Sequence, residues 1–298
     1  MTNELILNKS QFYAPLSFVR GFDESVWCSE ILEEIASGAL KSFEGDCGGI
    51  VYFRELEWDS NFFESNFLKI EFVIAKDIGG TKNALNDFLK FVDRKYDRYY
   101  ISAEIPSEDI STIAALCDDA FRLVETRIVW FRDDIQKYEF PSRSEVRSAT
   151  TVDIDSLKIA ASRAVNLFDK YHADEYFNSD TASRYLETFV SNSVNGFADV
   201  VLVPRLGVAN AFLTGDFLGN ERSIGGKSAA RMVLSAVVPE RSGWYTKLIS
   251  EMSFLFKENA VDVAFMTTQA TNRAVIKVWQ RLGYKYGRST HVFSKFKK

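Results

Sequence analysis

Apolar and polar residues alternate through Val124-Glu-Thr-Arg-Ile-Val-Trp-Phe131, the period of a strand with one buried face. The polar segment Lys137–Glu145, broken by Pro141, ends that pattern and marks a boundary between residues 1–143 and 144–298. Thr151 can then cap a helix, Asp153 and Asp155 suit its positive end, and apolar Leu157, Ala160 and Ala161 follow at helical spacing. Beyond this start the pattern predicts helices over about 151–166 and 168–194, then strands at Ala198–Val203, Val208–Leu213 and Ser228–Val238. A helix from Gly243 to Lys257, a strand at Val261–Thr268, a helix opened by Asn272 and a strand at Thr290–Phe296 complete it. The order is mixed α/β.

The two halves align when slid by 163 positions. Asp109 then lies over Asn272, Ile113 over Ile276, Leu116 over Trp279, Phe121 over Tyr284 and Val129 over Val292, without a gap. Each copy reads strand, polar cap, amphipathic helix, turn, strand, a unit that also aligns with others of its kind by pattern alone. The reading taken here is a degenerate N-terminal copy that lacks the Gly-containing loop of the second half and so is not expected to bind the same ligand.

Composition narrows the function. Lys and Arg number 36 against 41 acidic residues, a net charge of −5, which argues against a nucleic-acid partner because phosphate neutralisation needs a basic face. Cys28, Cys47 and Cys117 are scattered, and His172 and His291 are the two histidines, so no metal-ligand spacing arises and no metal is expected. No apolar stretch approaches a membrane span, and Asn3, Glu4, Asn8 and Lys9 interrupt any leader-like run. A soluble cytoplasmic protein without a membrane partner is the expectation.

The chemistry gathers near the C-terminus. A strand ending in Ala236-Val-Val-Pro239 runs through Glu240-Arg-Ser-Gly-Trp-Tyr-Thr246 into a helix, presenting backbone N–H groups and a positive dipole end to an anion such as a pyrophosphate. Gly243 permits close backbone approach, and Arg241 and Lys247 stand nearby. This ordering over the second half resembles the coenzyme A-binding region of the GNAT acyltransferase superfamily. The resemblance implies a GNAT fold, a mixed, mostly antiparallel sheet flanked by helices, preceded by a smaller degenerate GNAT-like α/β domain.

The resemblance also implies roles. Ala236, Val237, Val238, Arg241, Ser242, Gly243, Trp244, Tyr245, Thr246, Asn272 and Trp279 would bind coenzyme A, with the Val237 backbone N–H polarising the thioester carbonyl. The family loop reads Gln/Arg-x-x-Gly-x-Gly/Ala. Glu240 and Tyr245 depart from it, and Trp279 replaces a Tyr that protonates the thiolate in similar sugar acetyltransferases. Trp279 then becomes a wall of the acyl or pantetheine pocket, or core. Tyr245 and Tyr284 are the nearest hydroxyl candidates for that proton.

Two further segments, Leu56-Glu-Trp-Asp-Ser-Asn-Phe-Phe63 and Leu167-Phe-Asp-Lys-Tyr-His-Ala-Asp-Glu-Tyr-Phe177, are similar to signatures of nucleotide-sugar N-acyltransferases, the dTDP-fucosamine acetyltransferases among them. In the first, Trp58, Phe62 and Phe63 either pack core or stack on thymine. In the second, His172 can take a proton from a sugar ammonium and Asp174 can bind hydroxyls or orient it; alternatively both order the loop. The implied reaction moves an acyl group, acetyl or a short 3-hydroxyacyl, from acyl-CoA to the amine of a dTDP-amino-dideoxyhexose in a ternary complex, for surface polysaccharide synthesis. Two other classes stay open: a peptidoglycan-type aminoacyltransferase with tandem GNAT domains, and a non-catalytic acyl-CoA-binding module. By analogy the chain is expected to be a monomer or homodimer.

Overall fold

A computed structural model describes residues 2–164, 166–218, 226–241 and 243–298. They divide into two compact units, one formed by residues 1–127 and 288–298 and the other by residues 128–287. These units do not coincide with a single cut at 143. The chain leaves unit 1 inside one strand and returns to it inside another.

In unit 1, helices α1 (Thr2–Tyr13) and α2 (Glu24–Ser37) precede strands β1 (Lys41–Glu44) and β2 (Ile50–Glu55). The short helix α3 (Glu57–Phe63), strand β3 (Asn66–Ile74), helix α4 (Ile78–Lys95), strand β4 (Tyr99–Pro106), helix α5 (Ile110–Asp118) and strand β5 (Arg122–Arg132) follow. Strand β5 crosses into unit 2 at Arg127. Unit 2 continues with β6 (Val146–Ser148), α6 (Ile154–Arg163), α7 (Lys170–Ala173), α8 (Ser179–Asn192), β7 (Val200–Pro204), β8 (Ala211–Leu218) and β9 (Ala229–Val237). Helix α9 (Trp244–Glu258), strand β10 (Val263–Gln269) and helix α10 (Arg273–Arg281) lead to β11 (Lys285–Lys297), which re-enters unit 1 at Arg288.

The 163-residue offset holds from β3 and its counterpart β9 onward, while the strands before them, β2 and β8, pair in a different offset. It carries Asn66–Ile74 onto Ala229–Val237, Ile110–Asp118 onto Arg273–Arg281, and the start of β5 onto the start of β11. Both last helices are capped alike: the Asp109 side chain accepts from the Thr112 N–H, and the Asn272 side chain accepts from the Val275 N–H.

In each unit β3 or its equivalent β9 pairs antiparallel with the strand before it and parallel with the strand after its helix. In unit 1, β11 then closes β4 antiparallel, Thr290–Lys297 against Tyr99–Pro106. Unit 2 runs β10-β9-β8-β7-β6. Helices α6 and α8 cover one face of this sheet through Leu157, Ala160, Ala161 and Val190, while α9 and α10 cover the other through Leu248, Met252, Phe256 and Trp279. Hydrophobic burial on both faces fixes the register of the sheet, because a one-residue slip would carry every side chain fitted to one core into the other.

The helix expected from 151 begins as a 3-10 turn, Thr151–Asp153, and continues as α6. Asp153 completes a capping box with Thr150 and receives a two-pronged ion pair from Arg147, Nη1 to Oδ2 at 2.7 Å and Nη2 to Oδ1 at 2.8 Å. The Arg147 hydrogen bonds hold the Asp153 carboxyl at about 2, below its ordinary 3.8, with the Thr150 N–H adding to the effect and partial burial opposing it. A carboxyl depressed by folding stabilises fully above its unfolded value and loses that contribution as pH falls through the folded one. Asp153→Asn is therefore expected to cost about 1–2 kcal/mol near neutral pH. Chemical denaturation should show the gap to the parent closing between pH 3.8 and about 2.

Candidate functional site

Strands β9 and β10 pair in parallel from Ala229–Val263 to Met232–Met266, and there the register ends. Both strands continue, β9 to Val237 and β10 to Gln269, so their C-terminal halves part. A bulge in β9 accompanies the parting. Leu213 faces Ser235 and Gly215 faces Met232, so two β9 residues, Val233 and Leu234, stand opposite Thr214 alone. The Thr214 side chain fills the gap in the ladder, accepting from the Leu234 N–H at 2.9 Å and donating to the Leu234 carbonyl at 3.3 Å.

The extra residue inverts the strand. Ala230 and Met232 pack with α9 and α10, whereas Ala236 and Val238 pack with α6 and α8. Backbone direction follows from two bonds. The N–H groups of Leu234 and Val238 point toward β8, the latter donating to the Asn210 carbonyl at 3.3 Å. By strand alternation the amides of Ser235 and Val237 point to the opposite edge, where pairing with β10 has ended. The Val237 amide thus lies on the open edge, and the Ala236 side chain lies on the α6 face.

The loop after β9 turns through Pro239–Arg241 and enters α9 at Gly243, whose φ of 90° is left-handed. Gly243 at the N-cap has no side chain with which to cap this helix, so first-turn amides among Trp244, Tyr245 and Thr246 can face an anion. Ser242 lies outside the described residues. Glu240, the acidic departure from the family loop, is drawn off by Arg163 at 2.6 Å, while Arg241 is tied by its Nε to Asn210 Oδ1 at 3.0 Å. The Lys247 ammonium sits over the Trp244 ring at 4.7 Å, and these two side chains line a 300 Å³ cavity with Arg143, Ser144 and Leu206.

Unit 1 handles the same junction differently. The expectation that its copy lacks a Gly-containing loop is corrected: Gly79 and Gly80 stand in the first turn of α4. There Asp77 caps the helix, its Oδ1 accepting from the Gly80 N–H at 2.8 Å. A carboxylate of the chain itself occupies the place an incoming anion would need, so glycine content was the wrong discriminator and the cap is the right one.

Behind the parting, the Trp279 indole N–H donates to the Tyr245 hydroxyl at 2.9 Å, and the Ser235 hydroxyl also bonds that phenol. Burial pushes the Tyr245 phenol well up, so it stays protonated and is poorly matched as a proton donor to a thiolate. Trp279 packs edge-on to Trp130 in the core beneath the cleft. Tyr284 is drawn away from this group; its hydroxyl pairs with Ser253 Oγ at 2.8 Å inside the core, and burial raises it too. The Asn272 side-chain amide also donates to Thr268 Oγ1 at 3.2 Å, which ties the α10 cap to the end of β10.

His172 lies in α7, its side chain only 5% exposed. The ring Nδ1 meets both oxygens of Asp169 at 3.0 Å, and the buried Nε2 has no hydrogen-bond partner among the described residues. With Asp169 accepting from Nδ1–H, Nε2 carries the free lone pair a general base requires. The segment is anchored to the cleft by Asn166, whose Nδ2 donates to Gln269 Oε1 at 2.7 Å at the end of β10. Asp174, by contrast, orders the loop: it is buried and accepts from the Tyr176 N–H at 3.0 Å. Sequence reading missed Asp169, although its position three residues before His172 at a helix start was a usable signal.

No protein-family model matches the sequence, and no curated protein sequence matches it. Solved structures do. A GCN5-related N-acetyltransferase from Sphaerobacter thermophilus aligns over 98% of this chain and 93% of its own, with TM-score 0.60 and 13% identity. A GCN5-related glucosamine N-acetyltransferase region in a fungal multi-domain β-N-acetylglucosaminidase covers 83% of this chain and 31% of that one, at TM-score 0.58 and 14% identity. A tandem GNAT protein from the clavulanic acid biosynthesis pathway covers 83% and 78%, at TM-score 0.51 and 11% identity. The fold is the GNAT fold, and GNAT neighbours span both units.

A Cβ at Gly243 would meet no atom within 4 Å, so the cost of Gly243→Ala is purely its left-handed backbone. Thermal or chemical melts should register a loss of about 1–2 kcal/mol.

Proposed function

We propose that unit 2 is an N-acyltransferase that takes its acyl group from a coenzyme A thioester. The observation that carries this reading is the parting of β9 from β10 above an α9 start whose N-cap, Gly243, has no side chain. The open edge offers the Ser235 and Val237 amides to an extended, amide-bearing arm, and the first turn of α9 suits its pyrophosphate. The acceptor amine attacks the thioester carbon, forming the C–N bond as the C–S bond breaks. His172 Nε2 removes the amine proton, and Asp169 steadies the resulting imidazolium. The Val237 N–H stabilises charge on the carbonyl oxygen. Tyr245, held protonated, is a hydrogen-bond donor to the departing sulfur and not its acid.

The acceptor in this reading is an amino sugar, and more finely a dTDP-linked amino-dideoxyhexose, with acetyl or a short 3-hydroxyacyl as the transferred group. The similarity of residues 56–63 and 167–177 to nucleotide-sugar N-acyltransferases supports it. So does the amino-sugar acceptor named for the fungal GNAT region. Synthesis of a surface polysaccharide is the setting such a product would serve. Among the described residues no group of His, Cys, Asp and Glu is arranged to hold a metal ion, and no helix is long and apolar enough to cross a membrane.

Three measurements test this. Calorimetry with coenzyme A should give saturable heat; its absence sinks the enzyme reading. Mass spectrometry with several acyl-CoAs and dTDP-3-amino or dTDP-4-amino sugars should show one acyl mass gained, and coenzyme A binding without any gain defeats the sugar assignment. His172→Gln should lower kcat by about 10²–10⁴-fold with little change in KM for the thioester.

A further inference from the structure

Unit 1 has a parting of its own. Strands β3 and β4 pair from Asn66–Tyr99 to Ile70–Ala103 and no further, and β3 carries one extra residue, Glu71, between the partners of Tyr52 and Phe53. Ala103 and Glu71 stand 163 positions before Met266 and Leu234, so parting and bulge recur at equivalent places. A cavity of 470 Å³ opens there, beneath α1 and α2.

Its walls differ in kind from those of unit 2. Arg54, Lys69, Glu71 and Glu104 line it, where the equivalent positions of unit 2, read from the strand register, carry Gly215, Met232, Leu234 and Thr267. Most of these charges are spent on one another. Arg54 pairs with Glu34 and Glu71, Lys69 pairs with Glu71, and Glu104 pairs with Arg127 and accepts from the Thr290 hydroxyl. Burial alone would raise the Glu104 carboxyl; Arg127, Lys69, the Thr290 bond and Arg288 together hold it at about 2.

Two lining charges, Arg288 and Glu30, form no close ion pair among the described residues, although Arg288 lies near enough to Glu104 to act on its carboxyl. Arg288 donates through Nη1 to the carbonyls of Phe12 and Ala14 at 2.7 and 3.1 Å, and its buried Nε has no hydrogen-bond partner. Glu30 makes no hydrogen bond or ion pair among the described residues, and burial with Glu34 and Glu33 nearby raises its carboxyl. A guanidinium facing a cavity with a free Nε is a fork for a carboxylate, and an unpaired carboxylate in the same wall takes an ammonium. Between the charged residues the wall is aromatic, with Trp27 and Phe72 at 6.2 Å between ring centroids.

We propose that the unit 1 cavity binds a small zwitterion of the amino-acid or short-peptide class, its carboxylate on Arg288, its ammonium on Glu30 and its apolar part against Trp27 and Phe72. This site is independent of acyl transfer and is measured without any thioester, so its failure leaves the reading of unit 2 untouched.

The test is calorimetry on the intact chain with the twenty amino acids and a set of dipeptides, against acetate and methylammonium as single-charge probes. At least one zwitterion should bind saturably, and each single-charge probe should bind at least about tenfold more weakly. Glu30→Gln and Arg288→Met should each weaken the zwitterion by about tenfold or more, with melting of Glu30→Gln unchanged. Arg288 also holds the end of α1; if Arg288→Met does not fold, Glu30→Gln decides alone. No saturable binding by any member of the panel overturns the proposal. Binding undiminished in Glu30→Gln, or acetate binding as tightly as the zwitterion, does the same.

Discussion

The Thr214 hydroxyl and the Leu234 backbone exchange two hydrogen bonds, and the rest of the cleft depends on that exchange. A strand can lend its edge to a ligand only where that edge is not already given to a neighbour. By accommodating one surplus residue in β9, Thr214 keeps the strand bound to β8 while its outer half turns over and departs from β10. The side chains beneath then change from the methionine and alanine packing of Met232 and Ala230 to the polar grouping of Ser235, Tyr245 and Trp279. Without the bulge, the Val237 amide would point toward β8 and the open edge would offer a different set of groups.

Much of this architecture was legible in the chain. Strand period, the caps at Asp109 and Asn272, and the Gly-containing turn each have a local physical cause, and the 163-residue offset preserved them without a gap. What was not legible is what depends on a partner distant in sequence. A bulge leaves no mark in a run such as Met232-Val-Leu-Ser-Ala236, since any of its residues could be the surplus one. Glu240 reads as a defect in an anion loop until Arg163 is found beside it, and Tyr284 reads as an available hydroxyl until Ser253 is found bonded to it. Gly79 and Gly80 were overlooked because Asp77, the residue that matters at that helix start, reads from sequence as an ordinary cap.

The two units show how little must change for one scaffold to present opposite chemistries. Bulge position and the caps of α5 and α10 agree, yet one parting is lined by neutral side chains and the other by a lattice of ion pairs. Substituting a few outward positions on β2, β3 and β4 achieves this without touching the apolar layer of Phe88, Leu85 and Ile101 behind them. Core and cleft residues sit on different faces of the same strands, so each set varied without the other.

The way β11 returns to unit 1 has a consequence for the birth of the molecule. Residues 1–127 emerge first during synthesis, but the strand that pairs with Tyr99–Pro106 is not made until residues 290–297 are. Throughout the interval β4, apolar and destined to be buried, has an open edge in a nascent chain. The half of the protein translated first is therefore the half completed last.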